Sequence, residues 1–474
     1  MLFNSPQFAV FLPVVFAVYW LLRRSLRWQN LFVLAASYLF YGWWDWRFLL
    51  LIAFTSACSY LSGMAIAASE GRRRQALMWL NIGVNLLILG LFKYYDFFVQ
   101  SFADLFLGGH ADGLLLHLVL PVGISFYTFQ ALSYSIDVYR RTIQPTHNAV
   151  SFFAYVAFFP QLVAGPIERA SSLLPQFEQP RTFDRPQAVD GLRQMLWGFF
   201  KKLIIADGCA IYVDAIYADP AACGGGALIA AAVLFSFQIY GDFSGYSDIA
   251  IGTAKLFGIN LRRNFNVPYF SRDIAEFWRR WHISLTSWFR DYVYIPLGGS
   301  RVPRARVILN TLVIFLLSGF WHGANWTFLA WGFFHALLFM PLILTGRNRR
   351  FRDTVAEGRP LPSLPDVLRM LFTFALVTLG WVFFRSPSIS FAFNYIASFL
   401  HSGPSPMPWG GHHLILLPAM GLMLLVEWVN RGREHGLSRL PHSRGLRWLS
   451  YMLLIFIIVA FMQTAEMPFI YFQF

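Results

Sequence analysis

Apolar runs long enough to cross a membrane alternate with short polar loops along the whole chain. A helix that crosses the hydrocarbon core needs about 20 apolar residues. Runs of roughly this kind lie at 7–22, 29–44, 46–68, 76–99, 114–138, 203–218, 226–252, 307–346, 367–385, 412–430 and 446–464. The run 307–346 is long enough for two crossings, and the weaker run 150–165 is interpreted as re-entrant. The pattern predicts about eleven membrane-spanning helices with additional re-entrant and interfacial helices.

Lysine and arginine fall in alternate loops. The loops 100–113 and 219–225 contain neither residue. The basic loops and stretches lie at 23–27, 71–75, 140–141, 169–202, 255–280, 301–306, 347–352 and 431–433. Because cytoplasmic loops carry the excess of Lys and Arg, these stretches are predicted to be cytoplasmic. Both termini, including the last residues "EMPFIYFQF", are then predicted to lie on the outer side.

Composition supports this interpretation. Hydrophobic residues make up 57% of the 474 residues and charged residues only 13%, whereas a soluble domain carries about 25% charged residues. The formal charge of +14 lies mostly in short loops, which indicates membrane orientation rather than a nucleic-acid partner. We therefore predict an all-α, polytopic integral membrane protein surrounded by lipid, with residues 1–474 forming one membrane-embedded domain.

Three other classes of protein are not favoured. Cys58, Cys209 and Cys223 show no paired spacing, so the sequence predicts neither a disulfide framework nor a metal site. The first apolar run has no basic residue before it, which argues for a retained helix rather than a cleaved signal. The chain shows no internal repeat, so the inverted-repeat design of many transporters has no support.

The first candidate for chemistry is His322, in "SGFWHGANWTF". No Asp, Glu, Lys or Arg occurs between Arg306 and Arg347, so the histidine lies between the two arms of a predicted helical hairpin. Ionisable groups at membrane depth usually face a protein interior or a hydrated cavity. A neutral imidazole there can take a proton from a hydroxyl. The alternative is a histidine that only hydrogen-bonds a backbone carbonyl.

The second candidate is the cationic, aromatic stretch 276–301, which contains His282. Its pattern is typical of a helix lying at the cytoplasmic interface. Arg279 and Arg280 are either interfacial anchors or part of a vestibule that attracts a phosphate-rich donor.

Two further stretches place polar groups in apolar surroundings. In 238–252, Asp242 and Asp248 accompany Ser244 and Tyr246. Such carboxylates must be paired, hydrated or protonated, and we consider both pairing with Arg262 or Arg279 and substrate binding. In 121–140, polar side chains either hydrogen-bond neighbouring helices or line a path for a polar substrate.

Five strings together resemble the membrane-bound O-acyltransferase family, in particular its bacterial polysaccharide branch. They are "PVGISFYTFQALSYSIDVYR", "FPQLVAGPIER", "YGDFSGYSDIAIG", "FWRRWHISLTSWFRDYVYIPLGG" and "SGFWHGANWTFLAWG". The resemblance is collinear and covers nearly the whole chain. It implies a ring of tilted helices around a central funnel, in the inner membrane of a bacterium. It also implies that His322 is the catalytic histidine and that His282 occupies the second signature position, where many relatives have asparagine.

The function implied is transfer of an acetyl group from a cytoplasmic donor across the membrane, for O-acetylation of an exopolysaccharide such as alginate. Acetyl-CoA is the expected donor substrate, and no tightly bound cofactor is expected. The expected partners are a periplasmic acetyltransferase or acetyl-accepting protein and a polysaccharide synthesis and secretion complex. The residues predicted to bind substrate are Trp321, Asn325, Asp242, Ser244, Tyr246, Arg279 and Arg280. A transporter or flippase of a lipid- or sugar-linked precursor and a scaffold of a secretion complex are the alternatives.

Overall fold

The computed structural model describes residues 1–111, 113–163, 165–401, 403, 413–463, 467 and 469–470. Every regular element in these residues is helical, which confirms the predicted fold class. Within these residues, seven helices are long and apolar enough to cross a membrane, and four shorter apolar helices accompany them. The chain divides into two compact units, one formed by 1–192 and 250–262 and the other by 193–249 and 263–474. The prediction of a single domain stays a prediction.

The first unit contains the N-terminal helices. They are α1 (Pro6–Leu21), α2 (Leu26–Gly42), α3 (Arg47–Ala67), α4 (Gly71–Leu89), α5 (Tyr95–Phe106), α6 (Ile124–Tyr139), α7 (Ala149–Val156), α8 (Phe159–Leu162) and α9 (Ala170–Glu178), followed by the start of α10 (Arg185–Phe200). A π-helical turn at Gly90–Tyr94 joins α4 to α5.

The predicted span 114–138 is wrong in its first half. Helix α6 begins only at Ile124, after Gly123, whose φ of +76° is a left-handed conformation that glycine adopts without strain. Nearly all of α6 is buried, and two of its hydroxyl groups bond within the unit: Asn81 donates to Ser135 at 2.6 Å and Ser133 to the Gln130 carbonyl at 2.8 Å. These bonds support the packing alternative for 121–140. The stretch 150–165 contains two short helices, α7 and α8, and its re-entrant interpretation stays a prediction.

The second unit contains the remaining helices. They are α11 (Asp207–Ala218), α12 (Gly225–Leu256, up to residue 249), α13 (Ile274–Arg280), α14 (Ile283–Phe289), α15 (Arg304–His322), α16 (Trp326–Leu344), α17 (Leu364–Arg385), α18 (Ile389–Ala397), α19 (His413–Val429) and α20 (Arg444–Phe461). π-Helical turns occupy Lys201–Ala206 and Arg290–Tyr294.

The predicted hairpin in 307–346 is present as α15 and α16. The two helices touch through their backbones, because a Cβ atom at Gly319 would collide with the carbonyl oxygen of Phe328. Small residues at such a contact allow the close approach that stabilises helix pairs in lipid. The turn between the helices places His322, the last residue of α15, at the hairpin tip.

Candidate functional site

His322 lies in an aromatic enclosure. Its side chain is buried, with the residue 4% exposed, and its ring centroid lies 4.9 Å from that of Trp321, 5.1 Å from Trp331 and 5.2 Å from Phe384. These rings come from α15, α16 and α17. The imidazole is therefore held in one place by packing, which is what a positioned base requires.

The second predicted histidine lies close to the first. The ring centroids of His282 and His322 are 6.5 Å apart, and Trp321 contacts both rings, at 5.6 Å from His282. His282 caps α14 with a φ of +43°, an uncommon conformation for a residue with a side chain. The structure thus brings together the two residues that the sequence predicted to be catalytic.

Hydrogen bonds define the tautomer of His282. Its Nδ1 lies 3.0 Å from Oδ1 of Asn264, which also accepts from the Ser284 hydroxyl, while the Asn264 amide nitrogen donates to Ser247. Because the amide oxygen can only accept, Nδ1 of His282 carries the proton and Nε2 keeps the lone pair. Burial lowers the pKa of His282 to about 3, so the ring is neutral at physiological pH.

This burial predicts acid sensitivity. The unfolded chain protonates His282 below its ordinary pKa of 6.5, whereas the folded chain resists protonation down to about 3. The free energy of unfolding therefore decreases as the pH is lowered from 6.5 towards 3. Well below pH 6.5 the decrease is up to about 1.4 kcal/mol per pH unit. Asparagine tolerates a positive φ, so His282→Asn is a suitable variant. Between pH 6.5 and pH 4.5 in detergent, we expect this variant to lose less thermal stability than the native protein. An equal loss in both proteins would contradict this assignment.

The two predicted arginines differ in their environment. Arg280 is buried, and its guanidinium donates to Glu276 at 2.9 and 3.1 Å and to the carbonyl oxygens of Asn266 and Asp353. Arg272 shares Glu276 and also bonds Asp353. These bonds fasten α13 to the loop that follows α16, and the vestibule role of Arg280 stays a prediction.

Arg279 instead lines a cavity of about 660 Å³. Its guanidinium also donates to the backbone carbonyls of Asn348 and Phe351. The mouth is basic, and the interior is mainly apolar with a few hydroxyl groups. The basic lining residues are Arg279, Arg290, Arg349 and Arg352, and the interior ones include Trp278, Ile283, Thr286, Ser287, Thr311, Ile314, Phe315, Ser318 and Phe339.

The cavity leads toward the two histidines. Its lining follows α15 from Thr311 to Ser318, about 10 Å along the helix axis. Ser318 lies one helical turn before His322 on the same face, and Ile283 directly follows His282. Neither histidine is among the residues that line the cavity. Arg262 and the cluster 301–306 are also outside the lining.

The carboxylates of α12 pair with lysines. Lys202 contacts Asp242 at 2.6 Å and Asp207 at 2.8 Å, and Lys201 contacts Asp248 at 2.7 Å. The pairing hypothesis is therefore right in kind, but Arg262 and Arg279 were the wrong partners. The sequence analysis did not name Lys201 and Lys202 as the partners of these carboxylates. The signal for them was the pair "KK" inside the apolar stretch "FFKKLIIA".

The predicted substrate ligands of α12 bond within the protein. Ser244 accepts from Lys201 at 2.9 Å. Tyr246 stacks on Phe469 with ring centroids 4.7 Å apart, and Asp242 accepts from the backbone N–H of Ile470 at 2.7 Å. The described C-terminal residues Phe469 and Ile470 are thus buried beside α12, a contact that the sequence did not predict.

Asn325 also has structural partners. Its side-chain oxygen accepts from the N–H of Thr327 at 3.0 Å, which caps α16, and its amide donates to the carbonyl of Pro387 at 3.2 Å. These bonds fix the hairpin turn through both amide atoms, and the substrate-binding role of Asn325 stays a prediction. Among the described residues, no group of three His, Cys, Asp or Glu could hold a metal ion.

Known proteins of one family resemble this chain. The sequence model of MBOAT, the membrane-bound O-acyltransferase family, matches residues 139–376. The probable alginate O-acetylase AlgI of Pseudomonas aeruginosa is 42% identical over 83% of this chain and 74% of its own length. The peptidoglycan O-acetyltransferase of Helicobacter pylori is 36% identical over 84% of this chain and 79% of its own length.

A more distant relative acts as another kind of acyltransferase. The teichoic acid D-alanyltransferase of Streptococcus thermophilus is 28% identical over 56% of this chain and 68% of its own length. The family match, the high identity over most of the chain and the many apolar helices agree with one another. The chain is a multi-pass membrane acyltransferase that belongs to the membrane-bound O-acyltransferase family.

Proposed function

We propose that this protein takes an acetyl group from acetyl-CoA on the cytoplasmic side and delivers it, through His322, for O-acetylation of an exopolysaccharide such as alginate. The names of the relatives support an O-acetyl transfer to a polysaccharide. The observation that carries the proposal is the basic cavity whose lining ends one helical turn from His322. Family membership also favours an enzyme over the transporter alternative.

The cavity suits the donor in size and charge. Its volume of about 660 Å³ lies within the range of about 300–1,000 Å³ that small-molecule sites occupy. Guanidinium groups recognise phosphate oxygens through paired N–H donors, so Arg279, Arg349 and Arg352 would hold the nucleotide phosphates. Arg290 contributes less, since it pairs with Asp291 at 2.6 Å. The apolar interior would take the pantetheine arm and direct the thioester toward Ser318.

The imidazole of His322 would then act as general base. It accepts the proton of the acceptor hydroxyl while the oxygen attacks the thioester carbonyl. The tetrahedral intermediate collapses, the C–S bond breaks, and the imidazolium returns the proton to the departing thiolate. The products are the O-acetyl ester and free coenzyme A. His282, neutral and 6.5 Å away between ring centroids, would position the acceptor or His322.

The two ends of the hairpin would lie towards opposite faces of the membrane, so donor and acceptor can approach His322 from different sides. Basic residues precede α15 and follow α16, whereas His322 lies at the opposite end of α15. With basic loops in the cytoplasm, the donor enters from the cytoplasm and His322 lies toward the outer face of the inner membrane. An acceptor arriving from the periplasm, either a protein hydroxyl that relays the acetyl group or the polymer itself, would meet the thioester without either molecule crossing. A periplasmic acetyltransferase and the polymer secretion complex are the partners of such a step.

Removing charge at the mouth tests the donor site. We expect Arg349→Ala with Arg352→Ala to raise the KM for acetyl-CoA about 10- to 100-fold, because charge-assisted bonds contribute about 1.5–3 kcal/mol, with a smaller change in kcat. The assay is initial-rate transfer by purified protein at several acetyl-CoA concentrations. The matched control is Arg304→Ala with Arg306→Ala, two exposed arginines outside the cavity lining. An equal effect in both double variants would refute the assigned site.

A further inference from the structure

Resting on the proposed function, the geometry points to Phe384 as the residue that limits the donor to a two-carbon acyl group. The ring of Phe384, at the C-terminal end of α17, is 1% exposed and contacts His322 at 5.2 Å between centroids. We infer that it closes the acyl end of the site, so that a longer acyl chain would have to displace it.

The direction of approach singles out this ring among those around His322. Trp278 lines the cavity and contacts Trp331 at 5.6 Å, so Trp331 lies on the donor side. Trp321 lies between the two histidines. Phe384 is not part of the cavity lining and contacts His322 from α17. A thioester that reaches His322 past Ser318 and Trp278 therefore directs its acyl tail toward Phe384.

The neighbouring aromatic rings prevent the Phe384 side chain from moving aside. Its ring packs on Phe328 at 4.9 Å, on Trp331 at 5.3 Å and on Trp381 at 5.4 Å. Phe328 is itself confined, because even a Cβ atom at Gly319 or Gly323 would collide with it. Interiors packed in this way respond to a single added methylene. Each carbon beyond the acetyl group would thus clash with the Phe384 ring, which cannot move without disturbing three helices.

The test is a comparison of donors. Purified protein is given acetyl-, propionyl- or butyryl-CoA, and both acyl transfer and thiol release are measured. The native protein should prefer acetyl over propionyl by at least about tenfold, since one methylene in a fitted apolar pocket changes the rate by about 10–200-fold. Phe384→Ala should raise the propionyl-to-acetyl ratio of kcat/KM by about tenfold or more.

Two further variants make the outcome decisive. Phe235→Ala removes an equally buried phenyl ring from α12, which packs beside Tyr217 with ring centroids 6.3 Å apart, and should leave the ratio unchanged. Phe384→Leu opens less space at lower cost in stability, so it carries the test if the alanine variant does not fold.

The results distinguish a failure of the proposed function from a failure of the inference about Phe384. If the native protein uses no acyl-CoA, the proposed function fails. If it uses acetyl-CoA but already accepts propionyl-CoA equally well, or if folded Phe384 variants keep the native ratio, only the inference about Phe384 is overturned.

Discussion

His322→Ala is expected to lower the rate of acetyl transfer by about 10²–10⁴-fold, the contribution of a positioned general base. The imidazole lies at a hairpin tip enclosed by rings of three helices, so its position as a base is fixed by packing. The loss should appear in kcat rather than in the KM for acetyl-CoA, because the cavity that would hold the donor does not include His322. Rates are measured with labelled acetyl-CoA and the purified protein.

A second buried histidine provides the control. His435 is also 4% exposed, and its Nδ1 accepts from the N–H of Leu437. His435→Ala should therefore cost stability without a comparable loss of kcat. If the His322 and His435 variants lost activity equally, or if His322→Ala kept native activity, His322 would not be the base.

Lys202→Met is expected to destabilise the fold by about 3–5 kcal/mol, the usual cost of removing one partner from a buried ion pair. Lys202 is nearly inaccessible and contacts both Asp242 and Asp207. Its loss leaves two buried carboxylates without their shared cation. Because Asp242 also accepts from Ile470, we expect the contact with the C-terminal residues to weaken as well. Thermal unfolding in detergent measures the effect.

The reason for this loss is itself testable. Adding Asp242→Asn to Lys202→Met removes one of the two uncompensated charges, so part of the stability should return. Arg47→Met, which breaks an exposed pair with Asp45, should leave the melting temperature nearly unchanged. A loss at Lys202 no larger than that at Arg47 would show that the buried pairs do not stabilise the fold.

The sequence was informative where one physical requirement acts locally. The uncharged run between Arg306 and Arg347 could only fold as two crossings between basic flanks, which placed His322 at a tip. The start of α6 was harder, because residues 114–123 are apolar enough for a helix. Only the left-handed backbone at Gly123 shows where that helix begins.

Contacts between segments that are far apart in the chain could not be predicted from the hydropathy pattern. Arg279 and Arg280 are neighbours, yet one lines the cavity while the other is bonded to Glu276. Hydropathy gives both arginines the same value, and only the packing of α13 distinguishes them. Arg349 and Arg352 lie on a loop far along the chain from Arg279, so a shared basic mouth could not be inferred. The burial of Phe469 against Tyr246 depends on a similar long-range contact.

Transfer across a sealed membrane is the most direct test of whether His322 passes acetyl groups from one side to the other. Acetyl-CoA labelled in the acetyl group is added outside inverted vesicles that contain the protein and enclose an acceptor polysaccharide with its periplasmic acetyltransferase. Native protein is expected to place labelled O-acetyl groups on the enclosed polymer, and His322→Ala is expected to place none above background. Equal labelling by both proteins, or labelling only after the vesicles are broken, would contradict it.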